Sequence, residues 1–122
     1  ASLPSQEAAL EALRNGDAPM GEMREAYRQR RNVMVNALNT MGLKCHLPRG
    51  SFYAFPSVQS TGLDSKTFAA QLLESENVAA VPGNAFGESG EGFLRCCFAA
   101  GLEQIETAME RMARFVTNMK KG

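Results

Sequence analysis

Two stretches with one-sided apolar stripes constrain this chain more than any other feature. Beyond Gly101, the residues Leu102, Ile105, Met109, Met112, Val116 and Met119 recur at intervals of three or four. A helix with that spacing is apolar along one whole face and must bury it against something. A second helix, from about Gly21 to Met41, carries Met23, Tyr27, Met34, Leu38 and Met41 on one face and stops at Gly42. The other apolar runs are too short for long helices: Leu43 to Leu47, Ser51 to Phe55, Val78 to Val81 and Phe93 to Phe98. Pro48-Arg49-Gly50, Pro56 and Pro82-Gly83 punctuate them, so they read as strands, the first two as an antiparallel hairpin. Two shorter helices complete the pattern. One follows Pro4 and ends at Asn15-Gly16-Asp17; the other starts at the cap Asp64-Ser65, carries Phe68, Ala69, Leu72 and Leu73, and ends near Asn77. The expected fold is therefore α+β, a two-layer sandwich of a mostly antiparallel four-stranded sheet with helices packed on one face.

Composition narrows the function classes. At 122 residues the chain is one domain, and thirteen basic residues balance thirteen acidic ones, which argues against nucleic acid as a partner. Arg24, Arg28, Arg30 and Arg31 look like a basic patch, but Glu22 and Glu25 interleave with them, as on a solvated helix face. Three cysteines are an odd number, and adjacent Cys96 and Cys97 would point to opposite faces of a strand, so a disulfide framework is a poor reading. The sequence opens Ala1-Ser2-Leu3-Pro4 without a charged-then-apolar leader, and no apolar run approaches the ~18 residues of a membrane span. The expectation is a cytoplasmic protein with no membrane partner. His46 is the only histidine and has no companions at metal-ligand spacing, which argues against zinc and against Ser-His-Asp hydrolysis. Gly87, Gly90 and Gly92 precede a strand instead of joining strand to helix, so they are no dinucleotide fingerprint, and no P-loop is present. Met109, Met112 and Met119 read as core packing.

Arg95 is the most informative single residue. It interrupts Phe93-Leu94-Arg95-Cys96-Cys97-Phe98. In so apolar a strand a guanidinium must reach water, a buried carboxylate or the anionic group of a ligand. Its planar fork suits bidentate binding of a carboxylate.

Three segments carry a resemblance: Gly50-Ser51-Phe52-Tyr53-Ala54-Phe55-Pro56, then Val78 through Gly87, then Gly90-Glu91-Gly92-Phe93-Leu94-Arg95-Cys96-Cys97-Phe98-Ala99. In this order and spacing they resemble the carboxy-terminal small domain of class I/II pyridoxal-phosphate-dependent aminotransferases of fold type I. The resemblance implies that residues 1–17 are the helix leading out of a large domain and residues 18–122 the small domain. It makes Arg95 the arginine that binds the substrate α-carboxylate, and it places Phe52 and Tyr53 on a strand approaching that site. It also implies amino acid and 2-oxo acid substrates, a homodimeric parent, and pyridoxal 5'-phosphate bound by the large domain. The lysine that binds that cofactor covalently and the aspartate that pairs with its ring nitrogen both belong to the large domain. Ser65-Lys66-Thr67-Phe68 imitates the lysine motif, but it follows a helix cap and lacks the glycine and arginine expected after it, so Lys66 reads as an exposed first-turn residue. The implied chain is an aminotransferase fragment, inactive alone, with no catalytic or cofactor-binding residue of its own. The rival class is a stand-alone module in which Arg95 binds a carboxylate ligand or protein partner without chemistry.

Overall fold

A computed structural model describes residues 1–120. Its helices are α1 (Leu3–Asn15), α2 (Asp17–Thr40), α3 (Ser65–Glu76) and α4 (Leu102–Met119), and its strands are β1 (Tyr53–Ala54), β2 (Val81–Pro82) and β3 (Leu94–Cys97). Short 3-10 turns cover Gln59–Thr61, Gly83–Phe86 and Glu88–Gly90. No helix among the described residues is long and apolar enough to cross a membrane.

Local chemistry sets the helix ends. Gly16 closes α1 and opens α2, its N–H bonding the Ala12 carbonyl and its own carbonyl accepting from Met20. A Cβ at Gly16 would stand 2.3 Å from the Ala12 carbonyl oxygen, so the junction has no room for a side chain. The sequence placed the start of α2 at Gly21. The helix instead begins at Asp17, with the acidic residue in its first turn and Pro19 close behind, where a missing N–H has no helical partner to lose. At the other end Gly42 has φ +93°. There the Leu43 N–H bonds the Leu38 carbonyl and the Gly42 N–H the Asn39 carbonyl, a Schellman-type stop. Asp64 caps α3 by accepting from the Thr67 N–H at 2.8 Å, and Asn77 ends it in the left-handed region at φ 54°.

Among the described residues the sheet has three strands, not four, in the order β1-β3-β2, both ladders antiparallel. Tyr53 stands opposite Cys97 and Ala54 opposite Cys96; on the other side Val81 stands opposite Arg95 and Pro82 opposite Leu94. The expected strand Leu43–Leu47, and with it the hairpin, does not form. The Asn39 carboxamide occupies the backbone of Cys45, its Oδ1 accepting the Cys45 N–H at 3.0 Å and its Nδ2 donating to the Cys45 carbonyl at 3.0 Å. At Cys45 these side-chain bonds stand where ladder bonds would, and the segment keeps only a single backbone bond to the chain beyond β1, from the Ser57 N–H to the Lys44 carbonyl at 2.8 Å. Pro82, expected to end its strand, lies within β2, on an edge where its missing N–H costs no ladder bond.

The core joins α2, α3, α4 and one sheet face. Met34, Val35 and Leu38 from α2, Phe68 and Leu72 from α3, and Ile105, Met109, Met112, Phe115 and Val116 from α4 share one cluster with Ala54, Leu94 and Cys96. Phe68 and Phe115 meet edge to face, with ring centroids 5.1 Å apart. The stripe of α2 is buried only in its C-terminal half. Met23 is 58% exposed, because that end of the helix overhangs the core, and α1 buries no residue.

Candidate functional site: a guanidinium between aromatic rings on the open sheet face

Side chains alternate along β3. Leu94 and Cys96 are buried against the helices, Arg95 is half-buried and Cys97 exposed on the other face. Pairing with β1 puts Tyr53 on that same face, opposite Cys97. The Arg95 Cζ lies 4.4 Å from the centroid of the Tyr53 ring and 4.4 Å from that of Phe86. Among the described residues the ion pairs are Arg28–Glu25 and Arg114–Glu76, so no carboxylate partners Arg95. Of the destinations open to a guanidinium in an apolar strand, an internal ion pair is therefore not the one taken here. Phe55 extends the aromatic surface, 5.7 Å from Phe93 and 6.3 Å from Phe86.

The loop that feeds β3 is anchored by backbone contacts and one buried hydroxyl. Gly83 and Gly90 approach so closely that a Cβ on either would sit 2.1 Å from the carbonyl oxygen of the other, and the Gly83 N–H bonds the Phe93 carbonyl at 2.8 Å. Ser65 Oγ, fully buried at the start of α3, accepts from the Gly92 N–H at 2.8 Å and the Phe93 N–H at 3.2 Å. Glu91 completes the junction. Its Oε1 accepts from the Ser65 and Gly92 N–H groups and its Oε2 from Asn84 Nδ2. Those backbone N–H groups hold the Glu91 carboxyl below its usual range. Arg95 thus sits three residues beyond a doubly tied corner.

The resemblance implied that both Phe52 and Tyr53 lie on a strand approaching the site; in the structure β1 begins at Tyr53, and the two rings face different neighbours. Tyr53 meets Arg95, whereas the Phe52 ring packs on Tyr53 at 4.7 Å and on Tyr27 of α2 at 6.3 Å. Phe52 lines a different feature, a cleft of about 660 Å³ with Tyr27, Arg24, Arg28 and Arg49 on its walls, which does not include Arg95. There Arg28 already forks onto Glu25 at 2.8 and 2.6 Å. Sequence reasoning missed Phe86, because a residue in a 3-10 turn belongs to no periodic stripe. Its only sequence signal is a large apolar side chain between Pro82-Gly83 and Gly87. Burial pushes the Cys96 thiol up to about 12, so it packs as an inert apolar group. Lys66 is exposed in the first turn of α3, directly behind the Asp64 cap.

The fold and this face define a small α+β domain that presents, on the open side of an antiparallel sheet, an arginine without a carboxylate partner among the described residues. The family model for aminotransferases of class I and II matches residues 1–112, and the chain belongs to that family. YugH of Bacillus subtilis is 52% identical over 112 residues, 92% of this chain and 29% of the relative. Aromatic-amino-acid aminotransferase 2 of Thermococcus litoralis is 42% identical over 94% of this chain and 30% of its own length. Among solved structures, an aromatic aminotransferase from Pyrococcus horikoshii superposes with a TM-score of 0.90 at 44% identity, over 94% of this chain and 31% of the other. The chain thus spans about 30% of the length of the curated relatives it matches.

Proposed function

We propose that this chain is the carboxy-terminal small domain of an amino-acid aminotransferase, that residues 18–122 form that domain, and that residues 1–17 lead out of the large domain. In that enzyme the chain supplies the clamp for the substrate α-carboxylate. The observation that carries the reading is the Arg95 guanidinium, held between two aromatic rings with no carboxylate partner among the described residues. A carboxylate in the plane of the fork receives two parallel charge-assisted hydrogen bonds, which fix its orientation as well as its position. Tyr53 borders the bound carboxylate, and Phe52 bears on it only through Tyr53.

Amino-group transfer from an amino acid to a 2-oxo acid needs pyridoxal 5'-phosphate, which serves as the electron sink for the reaction. The described residues of this chain do not fit that group. The described lysines, Lys44, Lys66 and Lys120, are all exposed to solvent, and Lys66 lies in the capped first turn of α3. The cofactor belongs to the large domain in this reading, the parent enzyme is a cytoplasmic homodimer, and the small domain alone is inactive. The test is direct. The isolated chain, mixed with pyridoxal phosphate and an amino acid, is expected to yield no keto acid and no borohydride-trapped adduct specific to Lys66. A stoichiometric adduct at Lys66 would overturn the assignment.

A further inference from the structure

We propose that Tyr53 and Phe86 are positioning residues for Arg95: a ring on either flank of the guanidinium holds its plane, so that the N–H edges are what a carboxylate meets. The inference rests on the reading of Arg95 as the carboxylate clamp and adds what keeps the clamp in place. Both ring centroids lie 4.4 Å from the Arg95 Cζ. The rings do not pack on each other. Tyr53 belongs to β1, on one side of β3, and Phe86 to the turn that directly follows β2, on the other side, so the two reach the cation from opposite neighbours of its strand.

Aromatic support differs in kind from an ion pair. A ring face attracts a guanidinium through its quadrupole and consumes no N–H. An Asp or Glu in the same place would occupy the fork and compete with any ligand. An unsupported arginine would also have to give up rotamer freedom when it binds, and prior ordering removes that cost. The two rings come from unrelated elements, Tyr53 from β1 by its register with β3 and Phe86 from the 3-10 turn over Gly83–Phe86. That turn is pinned by the Gly83–Gly90 approach and the Gly83–Phe93 hydrogen bond. Phe86 is 50% exposed and contributes nothing to the core, yet it is held against Arg95.

The experiment compares an amino acid with the amine that lacks only its carboxylate, in the full-length enzyme carrying this segment. Tyr53→Leu and Phe86→Leu are each expected to lower kcat/KM for the amino acid by about 3- to 10-fold, mainly through KM, and to leave the amine within about twofold. Tyr53→Phe keeps the ring and is expected to match the parent within about twofold on both substrates. In the same full-length enzyme, the Arg95 Nε–H proton resonance is expected to be displaced by the ring currents of Tyr53 and Phe86. It is expected to move toward the ordinary arginine position in both leucine variants and to stay in Tyr53→Phe. Equal losses on amino acid and amine would overturn the proposal. So would undiminished leucine variants in an enzyme that Arg95→Ala disables, and there Arg95 would keep its role. If Arg95→Ala itself left both substrates unaffected, the underlying reading of Arg95 would fall, and the proposal with it.

Discussion

Ser65→Ala removes the one fully buried polar side chain of the described core, and its cost follows from two hydrogen bonds. Ser65 Oγ accepts from the Gly92 N–H at 2.8 Å and the Phe93 N–H at 3.2 Å, and so ties the start of α3 to the corner before β3. Neither donor is orphaned by the substitution. The Gly92 N–H keeps Glu91 Oε1 at 2.9 Å, and the Phe93 N–H keeps the Gly90 carbonyl at 3.2 Å. The loss is therefore two net hydrogen bonds, without the full desolvation of two buried donors. At about 0.5–1.5 kcal/mol each, the sum is about 1–3 kcal/mol. Unfolding entropy for a chain of this length is about 0.26 kcal/mol per kelvin, so Tm should fall by about 4–12 °C. Urea denaturation followed by circular dichroism should give a lower midpoint at an unchanged m-value. A loss below about 0.5 kcal/mol would refute the claim that Ser65 fastens the corner feeding the arginine strand.

Two further substitutions follow, one at the same corner and one at the end of α2. The Glu91 carboxyl is held below its ordinary value of 4.5, first by the Ser65 N–H and next by that of Gly92, so its stabilisation is present above that value and is lost as pH falls through the lowered one. Glu91→Gln should accordingly flatten the acid limb of a stability-against-pH curve, and an unchanged slope would show that the carboxylate does not favour the fold. Asn39→Ala should cost about 1–3 kcal/mol and speed hydrogen exchange at the Cys45 amide, since Asn39 Oδ1 is what accepts that N–H. Unchanged protection there would contradict the reason given for the missing fourth strand.

What was legible in the sequence depended on how far each signal reached. The helices could be read because caps and stops are local: Asp64, Asn77 and Gly42 each act within a turn of their own position. The opposite facing of Cys96 and Cys97 was legible too, since it follows from strand geometry alone. The strand count was not, because Leu43–Leu47 has a strand's composition, yet the backbone of Cys45 bonds the side chain of Asn39, a residue that carries no strand signal. Half of the α2 stripe misled for a related reason: periodicity says which face is apolar but not how far the partner helix extends beneath it, and Met23 lies beyond that reach. At the candidate site Arg95 announced itself by breaking an apolar run, and the strand register brings Tyr53 to its face. Phe86 arrives through a turn whose path depends on the contact between Gly83 and Gly90, and no local pattern encodes that.

The central claim, that Arg95 grips the α-carboxylate of an amino acid, is tested most directly by Arg95→Ala in the full-length enzyme, with kcat/KM measured for an amino acid and for the matching amine without its carboxylate. Two charge-assisted hydrogen bonds at about 1.5–3 kcal/mol each predict a loss of at least about a hundredfold on the amino acid. The amine should lose little, and Arg95→Lys should recover only part of the deficit, since an ammonium keeps the charge but not the planar fork. Equal penalties on both substrates, with the fold intact by circular dichroism, would contradict the account and make Arg95 a structural residue of its strand.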